Sequence, residues 1–131
     1  MNSKELENRL INFSIQVVNL IKSLPEDRIT NHLSGQLLRS ATSPALNYGE
    51  AQGAESRKDF VHKLGLVLKE LRESLNCLRI LAGTDYITTE STVIKECHEL
   101  VAIFVKSVET NKKRMEEESQ RLDKKSQMKN L

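Results

Sequence analysis

The sequence predicts an all-α protein, a single antiparallel four-helix bundle with up-down-up-down topology. Three observations carry that prediction. Apolar residues recur at three- and four-residue steps over long stretches, the pattern of one buried helical face. Gly and Pro number only 5 and 2 in 131 residues, so turns are few and elements must be long. Breaks around Pro25, Gly53 and Thr84–Thr89 divide the chain into four segments joined by short loops. The length suits one domain, able to bury roughly two-thirds of the surface its unfolded chain exposes.

The first helix is expected from about Ser3 to Leu24. Leu6, Leu10, Phe13, Val17, Leu20, Ile21 and Leu24 share one face. Ser3 is the expected cap, and Pro25 ends the helix because the residue before a proline avoids the α region. A second stripe, Ile11, Ile15 and Val18, lies beside the first and predicts a second neighbour, one that another subunit can supply.

The second helix is expected from about Thr30 to Gln52, with Leu33, Leu37, Ala41, Ala45 and Tyr48 inward. Ser34, Ser40, Gly49 and Ala51 are small and permit close helix approach. Pro44 lacks a backbone donor and should kink or open the helix near Ser40–Ser43, where hydroxyls can satisfy the freed carbonyl.

Ser56 followed by Asp59 reads as a capping box opening the third helix. Phe60, Leu64, Val67, Leu68, Leu71, Leu75, Leu78 and Leu81 form its inner face, and Gly83 is a natural left-handed cap. Leu66, Cys77 and Ile80 make a second, mixed stripe around Glu73, again expected at a subunit contact. The fourth helix is expected to open near Thr88–Ser91 and to carry Val93, Cys97, Leu100, Val101, Phe104 and Val108. Beyond Glu109 the apolar stripe thins. Residues 1–110 are therefore read as the bundle, and 111–131 as a charged C-terminal helix extension or disordered tail, expected to fray before Leu131.

Composition narrows the functions. Hydrophobic residues make up 38% and charged residues 29%, ordinary for a globular chain. Aromatics are 4% with no Trp, which disfavours a stacking platform for single-stranded bases. A net charge of +2 is too small to establish a nucleic-acid partner, so the placement of charge must decide. Cys77 and Cys97 lie in apolar patterns and read as reduced core or interface thiols. No apolar leader and no long uncharged apolar run is visible, so a cytoplasmic protein with no membrane role, no cofactor and no metal is expected.

The stretch Arg39-Ser40-Ala41-Thr42-Ser43-Pro44-Ala45-Leu46-Asn47-Tyr48-Gly49-Glu50, followed by Ser56-Arg57-Lys58-Asp59-Phe60 and reaching Glu73 and Leu78, resembles the four-helix-bundle family named for proteins encoded in 23S rRNA intervening sequences. The resemblance spans roughly residues 5–110. Ala51 stands where that family usually has Gly, and Glu70 where it tends to have Ser. It implies a bacterial homo-oligomer, a homopentamer around a central opening. It assigns Arg39, Ser43, Asn47, Glu50, Phe60 and Glu73 to structure or interface. A similar protein, the accessory variability determinant of diversity-generating retroelements, binds nucleic acid and a reverse transcriptase.

Three functional readings follow. The first is a non-enzymatic oligomer that binds RNA or DNA through phosphates, using Arg57, Lys58, Lys63 and Lys69 of the third helix and Lys112, Lys113 and Arg114 of the tail; repeated around a ring, such a patch becomes a large positive surface. Glu116, Glu117, Glu118 and Asp123 weigh against it by making the tail a mixed-charge segment. The second is a protein–protein scaffold with no nucleic-acid role. The third is a ribonuclease: Arg57-Lys58-Asp59-Phe60-Val61-His62 matches the Arg-x4-His spacing of the helical ribonucleases of the HEPN class, which places a phosphate-stabilising cation and a proton shuttle near each other. A solvated helix face explains the same pair more simply. His32 and His98 are isolated, and adjacent Cys97 and His98 diverge on a helix, a poor start for a metal site.

Overall fold

A computed structural model describes residues 1–130. It contains four helices, α1 (Ser3–Ser23), α2 (Arg28–Gln52), α3 (Arg57–Gly83) and α4 (Thr92–Lys129), and no strand among the described residues. Pairwise contacts fix the topology. Ser14 Oγ on α1 donates to the Ala41 carbonyl on α2 at 2.8 Å, while Glu7 lies beside Gly49, so α1 and α2 run antiparallel. Ser40 meets Ser74 and Glu50 meets Lys63, which sets α3 antiparallel to α2. Cys97 Sγ reaches the Leu71 carbonyl and Arg57 reaches Asn111, which sets α4 antiparallel to α3. Arg9 on α1 binds Glu96 and Glu99 on α4 and closes the ring of helices.

The predicted inner faces form one core. Phe13, Leu37, Leu64, Leu71, Leu78, Leu100 and Phe104 are fully buried. Tyr48 and Phe104 meet edge to face, centroids 5.6 Å apart, which ties α2 to α4 across the bundle. Both thiols are free and buried, and burial pushes Cys97 up to about 12.

The ends differ from expectation in ways the local chemistry explains. Asn2, not Ser3, caps α1: its side chain accepts from the Glu5 N–H at 2.8 Å and Glu5 accepts from the Asn2 N–H in return. Asp27 caps α2 with Thr30 completing the box, so the helix begins at Arg28, two residues before the expected start. Ser56 caps α3 by accepting from the Asp59 N–H at 3.1 Å. Gly83 remains helical; Asp85 takes the left-handed turn at φ 66, a conformation Asp tolerates. At Pro44 α2 stays continuous. Hydroxyls of Ser40, Thr42 and Ser43 donate to the carbonyls of Leu37, Leu38 and Arg39, beside the Ser40 carbonyl that Pro44 leaves without its N–H. Of the two alternatives for residues 111–131, a charged helix extension or a disordered tail, the described residues take the first: α4 runs on to Lys129, and only Leu131 lies outside the described residues.

Candidate nucleic-acid interface

Steps of four, four and three residues place Arg39, Ser43, Asn47 and Glu50 on one face of α2, the face turned to α3. The structure puts most of these residues to structural use. Arg39 bridges two carboxylates of α3, Glu73 at 2.9 Å and Glu70 at 3.3 Å. Ser43 donates to the Arg39 carbonyl. Glu50 takes the Lys63 ammonium at 2.5 Å. Phe60 packs half-buried against the core, and Asn47 is half-buried beside the seam. The Glu70 carboxyl is held above its ordinary range, first by burial and then by Glu73, against the pull of Arg39. Arg39 serves Glu73 more closely than Glu70, so it does not cancel that repulsion.

The candidate cations divide into two groups. Arg57 turns onto α4, where Nη1 donates to Asn111 Oδ1 and Nη2 to Glu118 Oε1, both at 3.3 Å. Lys63 is held by Glu50. Lys58, Lys69, Lys112, Lys113 and Arg114 are exposed and make no ion pair among the described residues. An unpaired exposed cation is the group a phosphate oxygen can take without breaking a protein contact.

The Arg57…His62 pair does not assemble. Five helical residues turn about 140° net, so the two side chains diverge, and Arg57 is engaged by α4 while His62 is exposed on the outer face. Among the described residues no group of three His, Cys, Asp or Glu side chains is placed to hold a metal, and no helix is long and apolar enough to cross a membrane.

The exposed apolar surface is where the sequence alone places it on α1 but not on α3. On α1, Ile11 and Ile15 are exposed as expected, 41% and 52%, with Val18 half-buried. On α3 the second stripe breaks up: Ile80 is exposed, Leu66 half-buried, and Cys77 buried. Sequence reasoning missed Leu38 and Leu46 of α2, 44% and 69% exposed. The pairing of Ser14 with Ala41 sets Leu38 level with Val17 and Val18 and within a turn of Ile15, so α1 and α2 carry exposed apolar side chains at neighbouring levels. Each residue lies off the buried stripe of its helix, and only the packing of α1 on α2 brings them together.

Fold and surface together define a class: a small antiparallel helical bundle whose distinctive polar residues clamp its helices and whose outer faces carry unpaired cations and apolar side chains. The chain belongs to the 23S rRNA-intervening sequence protein family, which residues 4–106 match. Among solved structures it is similar to a protein of unknown function from the S23 ribosomal protein family of Bacteroides thetaiotaomicron. The two are 32% identical, with a TM-score of 0.76 over 83% of this chain and 99% of that one. No curated protein matches the chain.

Proposed function

We propose that this protein is a non-enzymatic homo-oligomeric bundle of the bacterial cytoplasm that binds RNA or DNA through phosphate contacts. The observation that carries the reading is the set of exposed cations without acidic partners, Lys58, Lys69, Lys112, Lys113 and Arg114. The family name points to ribosomal RNA, which makes an rRNA duplex the first ligand to test. Assembly is supported by Ile11, Ile15, Leu38 and Leu46, since several large apolar side chains exposed on two adjacent helices of a small protein mark a contact surface. A ring of five copies is the assembly we propose, and it multiplies a modest patch into a large positive surface. The divergence of Arg57 and His62 favours binding over cleavage.

Light scattering at micromolar concentration and a salt-titrated binding assay test both halves. The expected result is a mass of several protomers and an affinity whose logarithm falls linearly with the logarithm of salt. A strict monomer overturns the assembly, and no binding to either nucleic acid at low salt overturns the ligand. The apolar α1/α2 face then supports the second reading, a protein–protein scaffold.

A further inference from the structure

The fourth helix outruns its partners. Glu118, held by Arg57, is the last described residue of α4 that a hydrogen bond ties to another helix, and every residue from Ser119 to Asn130 is exposed. At 1.5 Å per residue, Ser119–Lys129 projects about 16 Å beyond that tie. The family match ends at Lys106, so this arm is additional to the matched bundle.

The arm's charges are sorted by the helix. Arg114, Arg121 and Lys125 fall within about 40° of one another around the axis, and Lys129 follows one turn beyond Lys125, about 40° further round. Lys124 flanks them. Asp123 lies about 180° from Arg114, and Glu116 is also on the far side. Two acids remain near the stripe. Glu118 is paired with Arg57, and Glu117 stands one turn before Arg121, the orientation that supports the helix itself. A segment that reads as mixed charge therefore presents one basic side.

We infer that the projecting end of α4 is a binding arm for duplex nucleic acid, which it takes by laying the Arg114–Arg121–Lys125–Lys129 stripe along a line of phosphates. The inference rests on the nucleic-acid reading above and names the element that does the binding. A duplex offers one negative charge per about 1.7 Å of its axis, a density that a row of cations on a straight rod can follow. The arm has no aromatic residue for stacking unpaired bases, so single strands gain nothing extra from it. Leu122 and Met128 are its only large apolar residues, and Leu122 and Met128 face different sides, too little for a helix lying in a lipid surface.

The test compares two full-length variants of equal charge. One replaces Arg121, Lys124, Lys125 and Lys129 by Gln. The other replaces Lys4, Lys22, Lys95 and Lys106, all exposed on α1 and the bundle part of α4, by Gln. Affinity for duplex RNA and duplex DNA of unrelated sequences is measured across salt, with helix content checked by circular dichroism. The arm variant should lose at least tenfold in affinity, and the magnitude of its salt slope should fall by about 0.9 per lost contact, while the control changes far less. Equal losses in both variants, or none, with wild-type binding intact, overturn the arm and leave the broader reading standing. No wild-type binding to either duplex overturns both. Binding to anionic phospholipid vesicles in place of duplexes overturns the assigned partner, and preference between RNA and DNA identifies the source.

Discussion

Lys63 on α3 gives its ammonium to Glu50 on α2, so a cation that the sequence offers to phosphates is already spent on joining two helices. Lys69, on the same helix, is exposed and makes no ion pair among the described residues. Lys69→Gln should weaken nucleic-acid binding more than Lys63→Gln. Glu50→Gln should tighten it by freeing Lys63, and by more than Glu90→Gln, which removes the same charge from a loop with no lysine held to it. Binding isotherms at one low salt concentration decide; equal effects of the two lysine variants would show that the ion pair does not limit Lys63.

The α2/α3 seam also carries a buried polar pair. Ser74 Oγ lies 3.0 Å from Ser40 Oγ and 2.9 Å from the Glu70 carbonyl, while Ser40 Oγ donates to the Leu37 carbonyl. Each hydroxyl keeps a backbone partner when the other is removed. Ser40→Ala and Ser74→Ala should each cost about 1 kcal/mol, and the double variant less than their sum. Ser40→Leu should cost more, about 1–3 kcal/mol, because it overfills a fully buried site where the helices touch. Denaturant midpoints with unchanged slopes test this; full additivity would remove the pairing.

Glu70 gives the seam a pH dependence. Its carboxyl is held above its ordinary value of 4.5, so the folded protein binds that proton more tightly than the unfolded chain. Its contribution to stability is present at low pH and is lost as pH rises through the raised value. Asp27 works the other way: the Thr30 N–H lowers it, so its contribution is present above its ordinary value of 3.8 and is lost as pH falls through the lowered one. Glu70→Gln should therefore flatten the decline in stability on raising pH from about 4.5 to 7. A slope identical to wild type would place the charge of Glu70 in solvent.

The helices were legible in the sequence because their inner faces are dictated by periodic burial, from Leu10–Phe13–Val17 through Leu100–Phe104–Val108. Exact ends were less so, because adjacent residues compete to cap. Asn2 wins over Ser3 since Glu5 stands three residues after Asn2, a signal that was available. The reach of α4 was harder: once the apolar stripe thins, only charge spacing sustains the helix. The site was least legible. Nothing in local sequence reveals that Arg57 will meet Glu118 or Lys63 will meet Glu50, because those pairs exist only after α3 packs between α2 and α4.

The ribonuclease alternative makes a clean contrary claim. Arg57 bonds to Asn111 and Glu118, and His62 points elsewhere. Purified protein should leave a labelled RNA hairpin uncut, and His62→Ala should change neither integrity nor affinity of the RNA. Cleavage by the wild type that His62→Ala abolishes would restore the catalytic reading.

Assembly can be tested on the face that packing, and not periodicity, brings together. Ile11 and Ile15 are 41% and 52% exposed in the protomer, so replacing both by Glu removes little from the core. Surface changes of this kind usually alter protomer stability by no more than about 0.5 kcal/mol. Buried between two copies, the same carboxylates would be desolvated without partners, a cost that a subunit contact does not survive. Ile11→Glu with Ile15→Glu should yield a folded protein of monomer mass by light scattering, with the helical circular dichroism of wild type. The same should hold for Leu38→Glu, because Leu38 on α2 lies within a turn of the level of Ile15 on the adjacent α1. Ile80→Glu on α3 is the informative contrast. Its neighbour Cys77 is buried within the protomer, so no continuous apolar stripe surrounds it, and its mass should match wild type. Dissociation by Ile80→Glu together with intact assembly in the α1 and α2 variants would move the interface to α3.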